Sequence, residues 1–129
     1  MPDATLEKIP LFAQLPAERR HQLAGVCSQI DVETGATLIQ EGDFGYSMFA
    51  IVDGTAEVTQ DGRHVRRLAP GDVFGEIAVL SGGRRTATVV ATTPMTLIAV
   101  LNRDVWRLER DAPDVGASLR KTIADCITS

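Results

Sequence analysis

The residues best suited to chemistry lie in one segment, from Phe74 to Ala87. Arg85 follows two glycines and a first arginine, and its planar guanidinium can donate paired hydrogen bonds to a phosphate. Gly75 and Glu76 can begin a short helical turn over residues 77–80, whose first N–H groups would attract an anion. Glu76 beside an anion makes chemical sense if it accepts hydrogen bonds from hydroxyl groups.

Apolar side chains stand on both sides of this segment. Val73 and Val89 are predicted to form an apolar wall. A phosphate, hydroxyl groups and an apolar wall together describe a nucleotide. The alternative is a structural ion pair between Glu76 and Arg85 within a turn, and these residue types alone leave that alternative open.

The sequence lacks the residue patterns expected for a metal site or for nucleophilic catalysis. His21 and His64 are far apart, so no metal site is expected. The sequence has no Gly-x-Ser-x-Gly nucleophile motif, which argues against an enzyme. Cys27 and Cys126 are isolated, and Cys126 is expected to be a small packing residue. This cysteine usage favours a reducing, cytoplasmic setting. No cofactor is expected.

The net charge and the distribution of charged residues indicate which kinds of partner this chain could bind. The net charge is −4 with a pI near 5.1, which disfavours DNA as a partner. Seven acidic residues and no lysine or arginine lie between Asp31 and Asp61, whereas five arginines lie between Arg63 and Arg85. The second group could hold one small anion. Within it, the arginines at 63, 66 and 67 are expected to be a solvated strand face.

Length and composition predict a single domain. The chain has 129 residues, of which 44% are hydrophobic and 23% charged. A chain of this mass can bury about two-thirds of its unfolded surface. No apolar run reaches the roughly 18 residues of a membrane helix. The N-terminus has neither the basic nor the apolar region of a secretory signal, so none is expected.

The elements that must position the chemical residues are short. Residues 5–26 are predicted to be helical, with Pro16 in the first turn of a helix. Turn residues then recur every 7–12 positions, and Asp53-Gly54 and Asp61-Gly62 are typical of type I′ hairpins. The strands predicted between the turns are 47–52, 55–59, 64–68, 86–91 and 95–101. Short strands at this spacing indicate a sandwich or barrel.

Two helices are predicted after the last strand. Asn102 is a good N-cap for the first, and Trp106 is expected in the core, joining these helices to the strands. The second is predicted to begin near Pro113. Its apolar residues recur every four positions: Val115, Leu119, Ile123 and Ile127.

The stretch FGEIAVLSGGRRTATVVA resembles the phosphate-binding cassette of the cyclic nucleotide-binding domain family. That family includes catabolite activator protein, kinase regulatory subunits and cyclic-nucleotide-gated channels. Its cassette has the form Gly-Glu-x-Ala, a short insert, then Arg-Ser/Thr-Ala. The resemblance covers residues 5–127 and includes the further segments Ile9–Phe12, Gly42-Asp43, Ile51–Gly54 and Leu68–Asp72.

The resemblance implies roles for individual residues. Arg85 would pair with the phosphate oxygens, Thr86 and Ala87 would donate backbone N–H groups, and Glu76 would accept the ribose 2′-hydroxyl. Gly75 would leave room for backbone approach. The implied ligand-binding set is Gly75, Glu76, Ile77, Ala78, Arg85, Thr86 and Ala87, with Val73 and Val89 as the wall. Arg84 stands where the family often has proline, and it is expected to be a solvated neighbour adding long-range attraction.

The implied fold is mixed α+β, an eight-stranded antiparallel, jelly-roll-like β-roll with N-terminal helices and two C-terminal helices. The expected divisions are an N-terminal helical segment over 5–27, a roll over 28–101 with its cassette at 74–88, and hinge and lid helices over 102–127. In the family the last helix covers the base. Leu119 and Arg120 are therefore expected to contact or approach it.

The implied function is a cyclic-nucleotide-binding regulatory or sensor module that takes cAMP, with cGMP left open by Thr86. It is expected to signal through the C-terminal helices to a protein partner or to an effector domain absent from this chain. DNA binding by this chain alone is not expected. The alternative is a degenerate β-roll interaction domain that no longer binds nucleotide. The sequence leaves the oligomeric state open.

Overall fold

A computed structural model describes residues 3–25, 27–45, 47–75 and 84–111, with Pro113, Asp114, Ala117 and Lys121. Its helices are α1 (Asp3–Glu7), α2 (Pro10–Ala13), α3 (Ala17–Ala24) and α4 (Asn102–Asp111). Pro10 opens α2 and Pro16 immediately precedes α3. Proline is tolerated at these positions because the first N–H groups of a helix have no intrahelical partner.

The described residues form eight strands in two antiparallel sheets. The strands are β1 (Ser28–Val32), β2 (Thr37–Ile39), β3 (Ser47–Asp53), β4 (Ala56–Gln60), β5 (Arg63–Leu68), β6 (Val73–Phe74), β7 (Thr88–Ala91) and β8 (Met95–Leu101). The first sheet has the order β1-β8-β3-β6 and the second β2-β7-β4-β5. The mixed α+β fold with an eight-stranded antiparallel β-roll is thereby confirmed.

In the first sheet, the strands β3, β6 and β8 have apolar side chains on both faces, which alternate between two cores. One core, the helix-side cluster, joins this sheet to the N-terminal helices. It consists of Leu6, Ile9, Phe12, Leu15, Leu23, Ala24, Cys27, Met48, Ala50, Val73, Ile98 and Val100. The helices α1, α2 and α3 thus cover the face of this sheet that contributes to the helix-side cluster.

The second core is the roll interior, which lies between the two sheets. It consists of Ile39, Ile51, Ala56, Val58, Leu68, Phe74, Val89, Ala91, Met95 and Leu97. Neighbouring residues of one strand therefore enter different cores. Leu97 and Ile98 of β8 are both fully buried, one in the roll interior and the other among the helices.

Of the two predicted Asp-Gly hairpins, one is confirmed and one is wrong. Asp61 and Gly62 both have positive φ, 53° and 77°, and they join the paired strands β4 and β5. At Asp53-Gly54 only the glycine has positive φ, and β3 does not pair with β4. The chain crosses there from the first sheet to the second, because β3 pairs with β6 and β8 while β4 pairs with β5 and β7.

The prediction that Trp106 lies in the core is also wrong. Trp106 is 52% exposed on α4, although its size and apolar ring led us to expect burial. The second predicted C-terminal helix, with Leu119, Arg120 and Cys126, lies outside the described residues apart from positions 113, 114, 117 and 121. None of the helices in the described ranges has the length and apolar character required to cross a membrane.

Candidate functional site

The predicted cassette occupies the connection between β6 and β7. Within it the structure describes Gly75 and the four residues from Arg84 to Ala87. Glu76, Ile77 and Ala78 lie outside the described residues, as do Leu119 and Arg120. The geometry of the site is therefore that of Arg85 and its surroundings.

Arg85 is held by backbone groups from three different segments. Its Nη2 donates to the carbonyl oxygen of Ser47 at 2.6 Å, and its Nη1 donates to that of Gly75 at 3.2 Å. Its own backbone N–H donates to the Asp43 carbonyl at 2.6 Å, and its carbonyl accepts from the Gly42 N–H at 2.9 Å. Both the main chain and the half-buried guanidinium of Arg85 therefore have defined positions.

Gly75 makes room for that guanidinium. Its φ of +77° lies in the region that favours glycine. A Cβ at this position would lie 2.7 Å from Arg85 Nη1 and 3.0 Å from the Ser47 carbonyl oxygen, and Ile39 Cδ1 would be 3.3 Å away. The absence of a side chain at Gly75 is thus a condition for the observed placement of Arg85, a purpose that the sequence did not reveal.

Val73 and Val89 do not form one apolar wall, so that prediction is wrong. Val89 belongs to the roll interior, whereas Val73 belongs to the helix-side cluster. Phe74, the next residue of β6, enters the roll interior instead and stacks on Phe49 with ring centroids 5.3 Å apart. Alternation along a strand explains the error, because a shift of one residue moves a side chain to the opposite face.

The two residues after Arg85 lead into β7. The Thr86 side chain is exposed, while Ala87 is half-buried and packs against the roll interior. Thr88 then begins β7, and its hydroxyl accepts a hydrogen bond from the Glu41 N–H at 3.0 Å. The 84–88 segment is consequently fastened to the residues that follow β2.

Arg84 is exposed, as predicted, but it also makes defined contacts. Its Nη1 donates to the Gly42 carbonyl oxygen at 2.9 Å, and its guanidinium carbon lies 4.6 Å from the centroid of the Phe44 ring. Phe44 itself is 56% exposed. The sequence predicts that Arg84 is solvated and adds long-range attraction, but it does not indicate Phe44 as its partner.

The residues that sequence reasoning missed act mainly through their backbones. Asp43 and Ser47 contribute carbonyl oxygens, which carry no side-chain signature in a sequence. Phe44 and Phe74 are aromatic and could have been noticed. The contacts of Phe44 with Arg84 and of Phe74 with Phe49 could not be predicted, because they depend on how the chain segments pair.

Comparison with known proteins gives matches to a family, to individual relatives and to solved structures. The model of the family described as "Cyclic nucleotide-binding domain" matches residues 29–111. A cyclic nucleotide-gated potassium channel of Rhizobium etli is 34% identical over 115 residues, which cover 88% of this chain and 32% of the channel. A cAMP-dependent protein kinase regulatory subunit of Yarrowia lipolytica is 37% identical over 106 residues, covering 81% of this chain and 28% of the subunit.

A solved structure extends the similarity to the whole fold. The N-terminal domain of a transcriptional regulator from Streptomyces coelicolor A3(2) is 29% identical, with a TM-score of 0.82, and the match covers 96% of this chain and 92% of that domain. The matched part is less than a third of the length of these two curated relatives. From the family match and the fold together, the chain belongs to the cyclic nucleotide-binding domain family.

Proposed function

We propose that this chain binds a cyclic nucleotide through its 74–88 segment and takes cAMP at least as tightly as cGMP. The observation that carries the proposal is the placement of Arg85. The guanidinium of Arg85 is half-buried and is oriented by the carbonyls of Ser47 and Gly75. Thr86 and Ala87 directly follow Arg85 in the chain. A fixed guanidinium loses less conformational freedom on binding a phosphate than a mobile one would.

The contacts proposed for the ligand follow from the chemistry of each group. The guanidinium of Arg85 would donate two hydrogen bonds to the cyclic phosphate, and the N–H groups of Thr86 and Ala87 would complete the anion site. Glu76 would accept the ribose 2′-hydroxyl, while Ala78 would donate a backbone N–H. The apolar wall is reassigned to Val89 together with Phe74, because these two side chains share the roll interior.

The choice of base depends on Thr86. Its exposed hydroxyl could donate or accept a hydrogen bond at the mouth of the site. In the proposal this hydroxyl serves the phosphate, so a Thr86→Ala variant loses affinity for cAMP and cGMP equally. Selective loss of cGMP affinity would instead indicate that Thr86 reads the guanine base.

The role we propose is regulatory rather than catalytic. Binding would be relayed through the C-terminal helices, with Leu119 and Arg120 approaching the base, to a protein partner or a fused effector domain in the cytoplasm. The relatives support this role in name, since they are a channel and a kinase regulatory subunit of which the matched part is a minor fraction. Hydrogen exchange tests the relay, because added cAMP should increase protection over residues 113–126.

Isothermal titration of nucleotide-stripped protein with cAMP and with cGMP tests the binding itself. 5′-AMP is the matched control, because it keeps the base and ribose but lacks the cyclic phosphate. We expect saturable cAMP binding that is at least as tight as cGMP binding and much tighter than 5′-AMP binding. No heat and no thermal shift up to millimolar cAMP or cGMP would favour the alternative, a β-roll that serves as an interaction domain without a ligand.

A further inference from the structure

We infer that Arg84 is a positioning residue: through its contacts with Phe44 and Gly42 it fixes Arg85 in the orientation needed to bind phosphate. The inference rests on the proposed function for its consequence in binding. The arrangement on which it depends consists of contacts within the chain itself.

Arg84 and Arg85 lie antiparallel to the loop Gly42–Phe44. Phe44 and Arg84 form an isolated β-bridge, and the two backbone hydrogen bonds between this loop and Arg85 measure 2.6 and 2.9 Å. The side chain of Arg84 adds two further links to the same loop, the hydrogen bond to the Gly42 carbonyl and the cation–π contact with Phe44. This backbone pairing between the loop Gly42–Phe44 and residues 84–85 is short, and the side-chain contacts of Arg84 reinforce it.

The chemistry of arginine suits this double contact. A guanidinium is planar, so it can lie over an aromatic ring and donate hydrogen bonds within its own plane at the same time. A lysine ammonium can approach a ring or a carbonyl, but it lacks a planar fork that serves both. A lysine at position 84 would therefore keep the positive charge but not the planar geometry of the guanidinium.

The loop that Arg84 fastens also leads to the side-chain anchor of Arg85. Ser47, whose carbonyl accepts from Arg85 Nη2 at 2.6 Å, follows Phe44 by three positions along the chain. Gly45 between them is buried. A displacement of the Gly42–Phe44 loop would therefore disturb both the backbone and the guanidinium of Arg85.

This role differs from the long-range attraction expected from sequence. Attraction depends on charge alone, so Arg84→Lys would preserve it and added salt would abolish it. Positioning depends on the planar contacts, so Arg84→Lys would behave like Arg84→Ala. It also requires Phe44, an exposed residue that carries no charge.

A double-mutant cycle on cAMP binding separates these accounts. We expect Arg84→Ala, Arg84→Lys and Phe44→Leu each to weaken binding by about three- to tenfold, the range implied by one exposed cation–π contact and one hydrogen bond. The Arg84→Ala/Phe44→Leu double variant should bind no more weakly than the worse single variant. Arg66→Ala, which removes the same charge from an exposed position on β5, is the control and should keep its affinity to within twofold.

A ligand-free measurement keeps the inference testable even if no nucleotide binds. Without nucleotide, the amides of Gly42 and Arg85 should exchange faster in Arg84→Ala and Phe44→Leu than in the parent chain or in Arg66→Ala. Unchanged exchange of these two amides would overturn the inference, as would restoration of affinity by Arg84→Lys or additive effects in the cycle. Absence of binding by the parent chain, with accelerated exchange in the variants, would refute the proposed function alone.

Discussion

At the scale of single residues, the site depends on where Arg85 is held. Four hydrogen bonds from backbone groups of Gly42, Asp43, Ser47 and Gly75 fix both its main chain and its guanidinium. Two of the acceptors of the guanidinium are the carbonyl oxygens of Ser47 and Gly75, which orient its plane. A charged, oriented donor of this kind is suited to bind an anion that arrives from solvent.

Replacement of Arg85 should therefore have the largest effect on binding. We expect Arg85→Ala to weaken cAMP binding by about 30- to 1,000-fold, or roughly 2–4 kcal/mol, because it deletes two charge-assisted hydrogen bonds. Arg85→Lys should recover only part of the affinity, since an ammonium cannot pair bidentately. Titration calorimetry on both variants measures this. Affinity within threefold of the parent chain for Arg85→Ala would show that the phosphate is held elsewhere.

Gly75 offers a sharper test because Gly62 has the same backbone angle. Both residues have a φ of 77°, but a Cβ on Gly62 would meet nothing within 4 Å, whereas one on Gly75 would lie 2.7 Å from Arg85 Nη1. Alanine at either position should lower stability by about 1 kcal/mol through its backbone conformation. Only Gly75→Ala should also weaken cAMP binding, by about tenfold, through displacement of the guanidinium.

Paired thermal denaturation and titration of the two alanine variants compare these effects. Equal cAMP affinity in Gly62→Ala and Gly75→Ala would mean that the position of the Arg85 guanidinium does not limit binding.

Cys27 is buried and has a strongly perturbed thiol. Burial, with a smaller contribution from the negative charge of Asp104, raises the pKa of Cys27 from 9.0 to about 12. The unfolded chain ionises first as the pH rises, so this group stabilises the fold below pH 9 and loses its contribution between about pH 9 and 12. Native Cys27 should also resist thiol reagents at pH 8, where its thiolate fraction is about a thousandfold lower than that of an ordinary thiol.

Urea denaturation of the parent chain and of Cys27→Ala across this pH range measures the effect. We expect the stability of the parent chain to fall more steeply above pH 9 than that of the variant. Parallel pH profiles would contradict the raised pKa of the buried Cys27 thiol.

At the scale of elements, the connection from β3 to β4 is more constrained than a hairpin. Gly54 has a φ of 91°, and a Cβ there would lie 2.3 Å from the Pro94 carbonyl oxygen and 2.8 Å from Met95 Cγ. Thr55 follows, and its N–H donates to the Thr93 hydroxyl at 2.9 Å. The crossing between sheets is thus packed against the loop that precedes β8.

Gly54→Ala and Gly35→Ala form a matched pair for this crossing. Gly35 has a φ of 90°, and a Cβ there would meet nothing within 4 Å, so its alanine variant should lose only about 1 kcal/mol. Gly54→Ala should lose more than about 3 kcal/mol, because its Cβ meets backbone and a buried side chain that cannot move away. Chemical denaturation measures both. Similar losses in the two variants would show that the crossing can shift to accept a side chain.

Some strands could be predicted from the sequence more accurately than others. The strand over 95–101 was predicted with its observed bounds because a long run of apolar residues is buried on both faces. β1 was not located individually, because four of its five residues are exposed and its composition resembles a loop. β6 has only two residues, too few for any periodicity.

The candidate site shows the same division. Arg85 and Gly75 were predictable because their residue types are required by local chemistry and because the surrounding motif is specific. That Val73 and Val89 enter different cores was not predictable, because it depends on which face of its strand each residue occupies. The anchors of Arg85 were not predictable either, since any residue can supply a backbone carbonyl.

At the scale of the whole molecule, the first sheet is a shared wall between two cores. Its β3, β6 and β8 strands contribute to the helix-side cluster on one face and to the roll interior on the other. Gly75 directly follows β6, so the candidate phosphate site begins where this shared sheet ends. The N-terminal helices and the roll should consequently unfold as one unit.

Leu97 and Ile98 test this cooperative arrangement because they are adjacent, similar in volume and both 0% exposed, yet they enter different cores. We expect Leu97→Ala and Ile98→Ala each to lower the free energy of unfolding by about 2–5 kcal/mol, the usual result of a cavity in a packed core. Each variant should still unfold in a single transition when followed by far-ultraviolet circular dichroism in urea. A loss below about 1 kcal/mol for Ile98→Ala, or early loss of helical signal ahead of the strands, would show instead that the helices are a weakly docked appendage. Agreement between the two variants would establish that the helix-side cluster stabilises the roll as strongly as the roll interior does.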